Sequence, residues 1–332
     1  MFIVENYSLA IFFCVITMLC WGSWANTTKL TSKSWRFELF YWDYGVGILL
    51  TTLLLAFTLG SSGDAGRGFM TDIQQASSGN LFSAFLGGVI FNLANILLVA
   101  AIAIAGMSVA FPVGIGIALV LGVIVNYISA PAGNPVLIFG GVGLIVLAIL
   151  LNAKAYRKLT AGAGLKVSEK GLILSVSAGL LMGLFYKYVA GAMATDLQMP
   201  EAGKLTPYTA LVLFAVGVVV SSKIFNSIQM KKPFTGTPLS FKDYFRGSMK
   251  DHLVGIFGGM IWCVGMSLNI LAAGKASPAV SYGLGQGATV VAAIWGIYVW
   301  KEFAKAPAGT KPLLNIMLLL YVGGLAMIIL SK

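Results

Sequence analysis

Apolar blocks of about 20 residues follow one another along this chain, separated by short polar breaks, and that is the length a helix needs to cross the hydrocarbon core of a bilayer. Lipid offers no water to satisfy backbone N–H and C=O groups, so spanning segments of this length close their hydrogen bonds internally as helices. Only 10% of the 332 residues are charged, well under the ~25% of a soluble domain. The expectation is an all-α membrane protein with ten transmembrane helices, near residues 8–28, 39–60, 81–105, 107–128, 136–153, 171–195, 207–226, 252–273, 277–299 and 312–331. Very short turns, near Gly106 and at Gly274-Lys275-Ala276, join the third helix to the fourth and the eighth to the ninth.

A net charge of +11 would suit a nucleic-acid surface if it formed a basic and aromatic stripe. It does not. Lys and Arg gather in alternate breaks: Lys29, Lys33 and Arg36; Lys154, Arg157, Lys158, Lys166 and Lys170; Lys231, Lys232, Lys242, Arg246 and Lys250; Lys301, Lys305 and Lys311. The opposite side carries only Arg67, Lys204, Lys275 and Lys332. Cytoplasmic loops are enriched in Lys and Arg, so the loops after odd-numbered helices are expected in the cytoplasm and both termini outside it, in an inner or plasma membrane. Glu5 stands where a signal peptide would be basic, and no small-residue cleavage site follows the first block, which is therefore expected to remain as a helix. Cys14, Cys20 and Cys263 lie inside apolar blocks without metal-ligand spacing and read as packing residues.

The sequence repeats itself. Met107-Ser-Val-Ala-Phe-Pro-Val-Gly-Ile-Gly116 aligns with Ala276-Ser-Pro-Ala-Val-Ser-Tyr-Gly-Leu-Gly285, and each follows a helix that opens on a Gly-Gly pair, Gly87-Gly88 and Gly258-Gly259. Phe139-Gly-Gly-Val-Gly143 matches Val322-Gly-Gly-Leu-Ala326, and Trp21-Gly-Ser-Trp24 is weakly matched by Met182-Gly-Leu-Phe185, in the same order. The halves are thus residues 1–153 and 171–332, five helices each, joined by a basic cytoplasmic linker over 154–170. Five is odd, so the second half enters the membrane from the opposite face. Such inverted repeats hold a solute near the midplane, where the halves meet.

Polar side chains in lipid are costly unless they face a cavity or a partner. Trp21, Trp24 and Thr28 share a stripe with Thr17 on helix one, with Asn26 nearby; this reads either as a cavity lining or as an interfacial aromatic belt. Asn92 and Asn95 share a face of helix three, and Tyr282, Gln286 and Thr289 a face of helix nine. Both are read as solute contacts or as hydrogen-bonding glue between helices. Trp262 and Asn269 are further candidates on helix eight. Lys187 lies on a face otherwise made of Gly179, Gly183 and Gly191, which points it into a cavity unless it snorkels to the outer surface. Asp43 lies inside the start of helix two, and a buried carboxylate there suits proton coupling; pairing with Arg36 or a loop lysine is the alternative. His252, the single histidine, is a further titrating candidate.

Enzymatic signals are missing: there is no phosphate-binding loop and no H-E-x-x-H, and most of the eleven acids lie in loops or near span ends. No cofactor or nucleic-acid partner is expected. Ten helices in two halves resemble the drug/metabolite transporter superfamily. Gly106-Met-Ser, Gly114-Ile-Gly-Ile-Ala118, Gly258-Gly-Met-Ile-Trp262 with His252 before it, and Lys301-Glu302 resemble the rhamnose–proton symporter and related glucose and ribose porters. Trp21-Gly-Ser-Trp24, Tyr41-Trp-Asp-Tyr44 and Thr58-Leu-Gly60 are similar to plant ureide permeases, which carry allantoin and nucleobases; their long central loop is replaced here by the short segment 154–170. The function expected is a secondary carrier importing a small neutral polar solute, sugar first and ureide or nucleobase second, coupled to protons. An exporter, or a non-transporting receptor or scaffold, remains open from sequence alone.

The charge asymmetry predicts that a reporter fused at Lys332 reports a non-cytoplasmic C-terminus in the native membrane. A cytoplasmic signal would mean that the number of spans is odd.

Overall fold

The computed structural model describes residues 1–105, 107–160, 168–301, 303–304 and 306–332, so Gly106, Lys166, Glu302 and Lys305 lie outside the described residues. Among the described residues the chain is helical, with one isolated β-bridge between Met193 and Leu205. Nine spans there are long and apolar enough to cross a membrane, and a shorter apolar stretch, Val113–Ser129, occupies the place of the fourth expected helix. In chain order the helices are α1 (Tyr7–Ser23), α2 (Phe37–Phe57), α3 (Phe69–Gln75), α4 (Ser78–Ala105), α5 (Met107–Ser129), α6 (Pro135–Thr160), α7 (Glu169–Ala192), α8 (Pro207–Lys231), α9 (Phe241–Phe245), α10 (Met249–Ala276), α11 (Pro278–Gly285), α12 (Ala288–Ile294) and α13 (Thr310–Ile329).

Helix starts carry the residues that satisfy orphan N–H groups. Asn6 accepts from the N–H of Leu9, Ser168 from that of Gly171 and Ser248 from that of Asp251, while α8 begins on Pro207. Two spans depart from the continuous helices expected. The first tightens into a 3₁₀ helix over Trp24–Leu30, because Asn26, Thr27 and Thr28 each donate to a carbonyl three residues earlier and compete with the α pattern. The ninth is not one helix over 277–299. It breaks at Gln286-Gly287, within the run Gly283, Gly285 and Gly287, and ends in a π-helical turn over Trp295–Val299. Tyr282, Gln286 and Thr289 therefore do not form one stripe.

Two ends of the bundle are held together separately. At one, Tyr7 donates to the carbonyl of Ile329 at 2.6 Å, the amino terminus to Ala65 at 2.6 Å, and Arg67 to Asp72 and to the carbonyls of Pro200 and Lys204. At the other, Arg36 reaches the carbonyls of Thr235 and Thr237, Ser32 donates to Asp251, and the Trp300 indole donates to Asn26. The first, called here the terminal end, carries Arg67, Lys204, Lys275 and Lys332; the second is the basic end.

Between the ends, α4 packs on α7 and α8, α10 on α1 and α2, α5 on α7, α12 on α1, α2 on α8, α11 on α5, and α6 on α13. Two crossings bring backbones together most closely among the described residues. A Cβ on Gly88 would lie 2.0 Å from the carbonyl oxygen of Phe214, and one on Gly259 2.1 Å from that of Tyr44. Small residues are what permit such approach in membrane helices, where packing rather than water expulsion drives association.

Gly259→Val is expected to cost more than the ~1–3 kcal/mol usual for overpacking, because the atom it meets is backbone. Gly191→Ala, with nothing within 4 Å, is the control. Thermal unfolding in detergent should separate the two, and an unshifted midpoint for Gly259→Val would refute the crossing.

Candidate functional site

A cavity of about 290 Å³ lies among α1, α2, α4, α5, α7, α10 and the broken ninth span. Its walls are aromatic. Trp21 and Trp262 stack with centroids 5.9 Å apart and planes 12° from parallel, and the Trp21 indole donates to the carbonyl of Trp262 at 3.2 Å. Trp262 also packs on Phe91 at 4.4 Å, and Trp24 on Tyr44 at 4.7 Å. Phe37 and Phe185 complete the aromatic wall, and Asn95, Gln286, Thr28 and Thr289 supply its polar side chains. Among the described residues no charged side chain lines it. The lining from Thr28, Phe37, Ile102 and Ala292 places it toward the basic end.

On the terminal side the cavity is closed by tyrosines. Tyr282 is fully buried and donates to the carbonyls of Met182 and Ala118 at 3.0 and 3.2 Å, with its ring against Gly122. The Tyr186 ring packs against it, tilted, with centroids 5.3 Å apart, and its hydroxyl meets that of Ser281 at 3.0 Å. Asn269 donates to the carbonyl of Ser281 at 2.7 Å and has its own side-chain oxygen buried without a partner.

Of the sequence candidates, Trp21, Trp24, Asn95, Trp262 and Gln286 come together on this cavity. Asn92 stands behind it. The Tyr41 hydroxyl donates to Asn92 at 2.8 Å and accepts from Asn95 at 3.1 Å, and Asn92 donates to Ser221 at 2.7 Å, so one polar chain runs from the cavity through α2 to α8. Glue and lining are here two ends of one network. Tyr282 and Asn269 belong to the seal, and Asn26 ties the first span to Trp300. Lys187 is not on this cavity: it is exposed and lines a separate space at the terminal end, one turn past the point where Gly179 and Gly183 pack its face of α7 on α5. Sequence reasoning passed over Phe91, Met182 and Phe185. The repeat held the signal, since Phe91 sits opposite Trp262 in the Gly-Gly register, and Met182 and Phe185 opposite Trp21 and Trp24.

Asp43 and His252 do meet, away from the cavity. Asp43 is 3% exposed, and its two oxygens lie 3.1 and 3.0 Å from Nδ1 of His252. Tyr244 of α9 donates to it at 2.6 Å, and Gly255 leaves room for its Cβ. Burial, and then the hydrogen bond donated to Asp43, push the Tyr244 hydroxyl above the usual tyrosine range, so it stays a donor. Arg36 pairs with Glu38 rather than Asp43. Asp251 is held by Ser32 and Ser248, not by its neighbour His252.

A family model described as ureide permease matches residues 40–170 and 158–331. This chain belongs to the ureide permease family. Ureide permease 4 of Arabidopsis thaliana is 24% identical over 398 aligned positions that cover 100% of this chain and 99% of the relative. Ureide permease 1 of the same plant is 25% identical, again over 100% and 99%. A solved crystal structure, 14% identical, superposes with a TM-score of 0.58 over 97% of this chain and 96% of that one, a likeness of fold alone. The chain is thus a multi-pass integral membrane protein of a transporter family. The order of expectation is corrected: the match falls on the ureide permeases, not on the sugar-porter resemblance that ranked first.

Proposed function

We propose that this ureide permease family member is a secondary carrier for a neutral, planar ureide or nucleobase, imported with protons. The observation that carries the reading is the uncharged aromatic cavity. Stacked Trp21 and Trp262, with Phe91 and Trp24 around them, present flat faces to a flat ring. Asn95 and Gln286 each offer a carbonyl and an NH₂, the donor and acceptor pair that matches the N–H and C=O edge of a cyclic urea. A sugar also stacks on indole, but its ring of hydroxyls needs more polar partners than two amides and two threonines. The names of the Arabidopsis relatives support the same solute class.

The carrier reading includes an inverted repeat, with the basic end in the cytoplasm and both termini outside it. Exchanging each span with the one five places on maps the packing onto itself: the contact of α4 with α7 becomes that of α10 with α1, and α4 with α8 becomes α10 with α2. The glycine crossings obey the same exchange, Gly88 on Phe214 becoming Gly259 on Tyr44. Phe91 and Trp262, at matching positions, touch each other where the halves meet. A scaffold has no use for this symmetry, whereas alternating access does. For the coupling site, Asp43 with His252 is the proposal, because a carboxylate buried within a span is costly unless it serves a purpose, and here both of its oxygens lie within hydrogen-bond reach of an imidazole nitrogen.

Uptake into proteoliposomes tests the reading. Allantoin or uracil should be taken up and glucose or rhamnose not, and Asn95→Leu should weaken uptake about tenfold or more, the effect of leaving a buried polar partner unmatched at ~1–3 kcal/mol. Sugar uptake without ureide or nucleobase uptake would overturn the solute assignment.

Asp43→Asn should abolish accumulation driven by an inward proton gradient while sparing exchange of solute already present on both sides. Unmodified protein that ignores the gradient would leave a facilitator and no coupling.

A further inference from the structure

Beyond the tyrosine seal lies a second and larger cavity, about 560 Å³, open at the terminal end. Lys187, Lys204, Lys275 and Lys332 line it together with Asn126, Ser129 and Ser277, and no Asp or Glu is among its described lining. Lys204 is fixed: its ammonium donates to the carbonyl of Gly191 at 2.6 Å. Gly191 lies four residues after Lys187 on α7, about 6 Å of backbone rise, so both lysines open onto the same stretch of that helix. Gly191, with nothing within 4 Å of where its Cβ would be, leaves open space beside them.

The ends of α5, α7 and α10 also reach this cavity, and one further feature turns part of its wall positive. The first turn of α11, with Ser277, Pro278 and Val280 in the lining, presents a helix N-terminus, where the peptide dipoles favour negative charge. Ser277, which caps it, has φ 75° and ψ 154°, a backbone region nearly confined to glycine. The acids Glu5 and Asp196 line a separate recess of about 210 Å³ that shares Lys275 with the larger cavity, so they reach the site at its edge only.

We propose that this vestibule is an oxyanion-binding site, taking a phosphate group, with Lys187 as its principal contact and Lys204 beside it. The site is distinct from the neutral cavity, and the tyrosines separate the two. Phosphate chemistry is shared by a free anion in the aqueous phase and by a lipid headgroup at the rim, and the two arms of the test below distinguish the sources.

Binding is read without transport, so its failure is separate from failure of the carrier reading. The purified full chain, in an uncharged detergent, is titrated with inorganic phosphate at ionic strength held constant by sodium chloride. The unfolding midpoint should rise with the logarithm of phosphate concentration, as ligand binding to the folded state requires. It should stay flat for Lys187→Gln, rise less for Lys204→Gln, and rise as in the native protein for Lys223→Gln, an exposed lysine of α8 that lines neither cavity. A parallel series in phosphatidylcholine vesicles with and without phosphatidylglycerol identifies the source: stabilisation by that lipid alone, lost in Lys187→Gln, assigns the site to a headgroup. No shift from either source, or an undiminished shift in Lys187→Gln, overturns the proposal.

Discussion

Two carbonyl oxygens, of Tyr44 and Phe214, occupy the space where side chains on Gly259 and Gly88 would begin. Everything at the centre of the bundle follows from those crossings. They press α10 onto α2 and α4 onto α8, and the four helices then meet closely enough for Trp262 to stack on Phe214 and pack against Phe91 in their middle. In a soluble domain expulsion of water would help to hold such a contact. In lipid the neighbours are as apolar as the helices, so the fit of backbone into backbone carries more of the stabilisation. Widening either crossing would separate the aromatic wall from the amides that complete it.

The same closeness lets α2 serve two environments. One of its faces sends Tyr41 to Asn92 and Asn95, beside the cavity, while the next carries Asp43 to His252 and Tyr244. A carboxylate within a span is costly without partners, and here both oxygens have them. One partner comes from a spanning helix and the other from the short α9, which belongs to the connection between the seventh and eighth spans. Asp43 therefore ties a loop to the helix that also supports the cavity wall.

Much of the architecture was readable in the sequence, because hydrophobic blocks of spanning length leave few alternatives to helices. Ten apolar segments, the Gly-Gly pairs and Trp21, Trp24, Asn95, Trp262 and Gln286 could each be found from spacing and from the cost of polar groups in lipid. What spacing does not carry is where a helix stops being regular. The break at Gln286-Gly287 divides a stripe that looked continuous, sending Tyr282 to the seal and Gln286 to the cavity. Depth along a span was equally hidden: the glycine face of α7 left open which cavity Lys187 reaches, and that is decided by the packing of Tyr186 and Tyr282 between the two. Phe91 escaped notice because a lone aromatic in an apolar helix looks like packing until its repeat partner is set beside it. The pairing of His252 with Asp43 crosses 209 residues, a distance that no local pattern spans.

The lining of the inner cavity has an electrical consequence. A passage without a fixed charge favours a solute without one, and an uncharged solute crossing the bilayer does no work against the transmembrane voltage, which is worth about 2.3 kcal/mol per elementary charge at 100 mV. The voltage then acts only on whatever charge the protein itself carries between its two states. In this bundle the spans hold few such charges, and Asp43, buried in α2 and set apart from the cavity, is one of them, so a response to membrane potential would belong in part to that group and its imidazole.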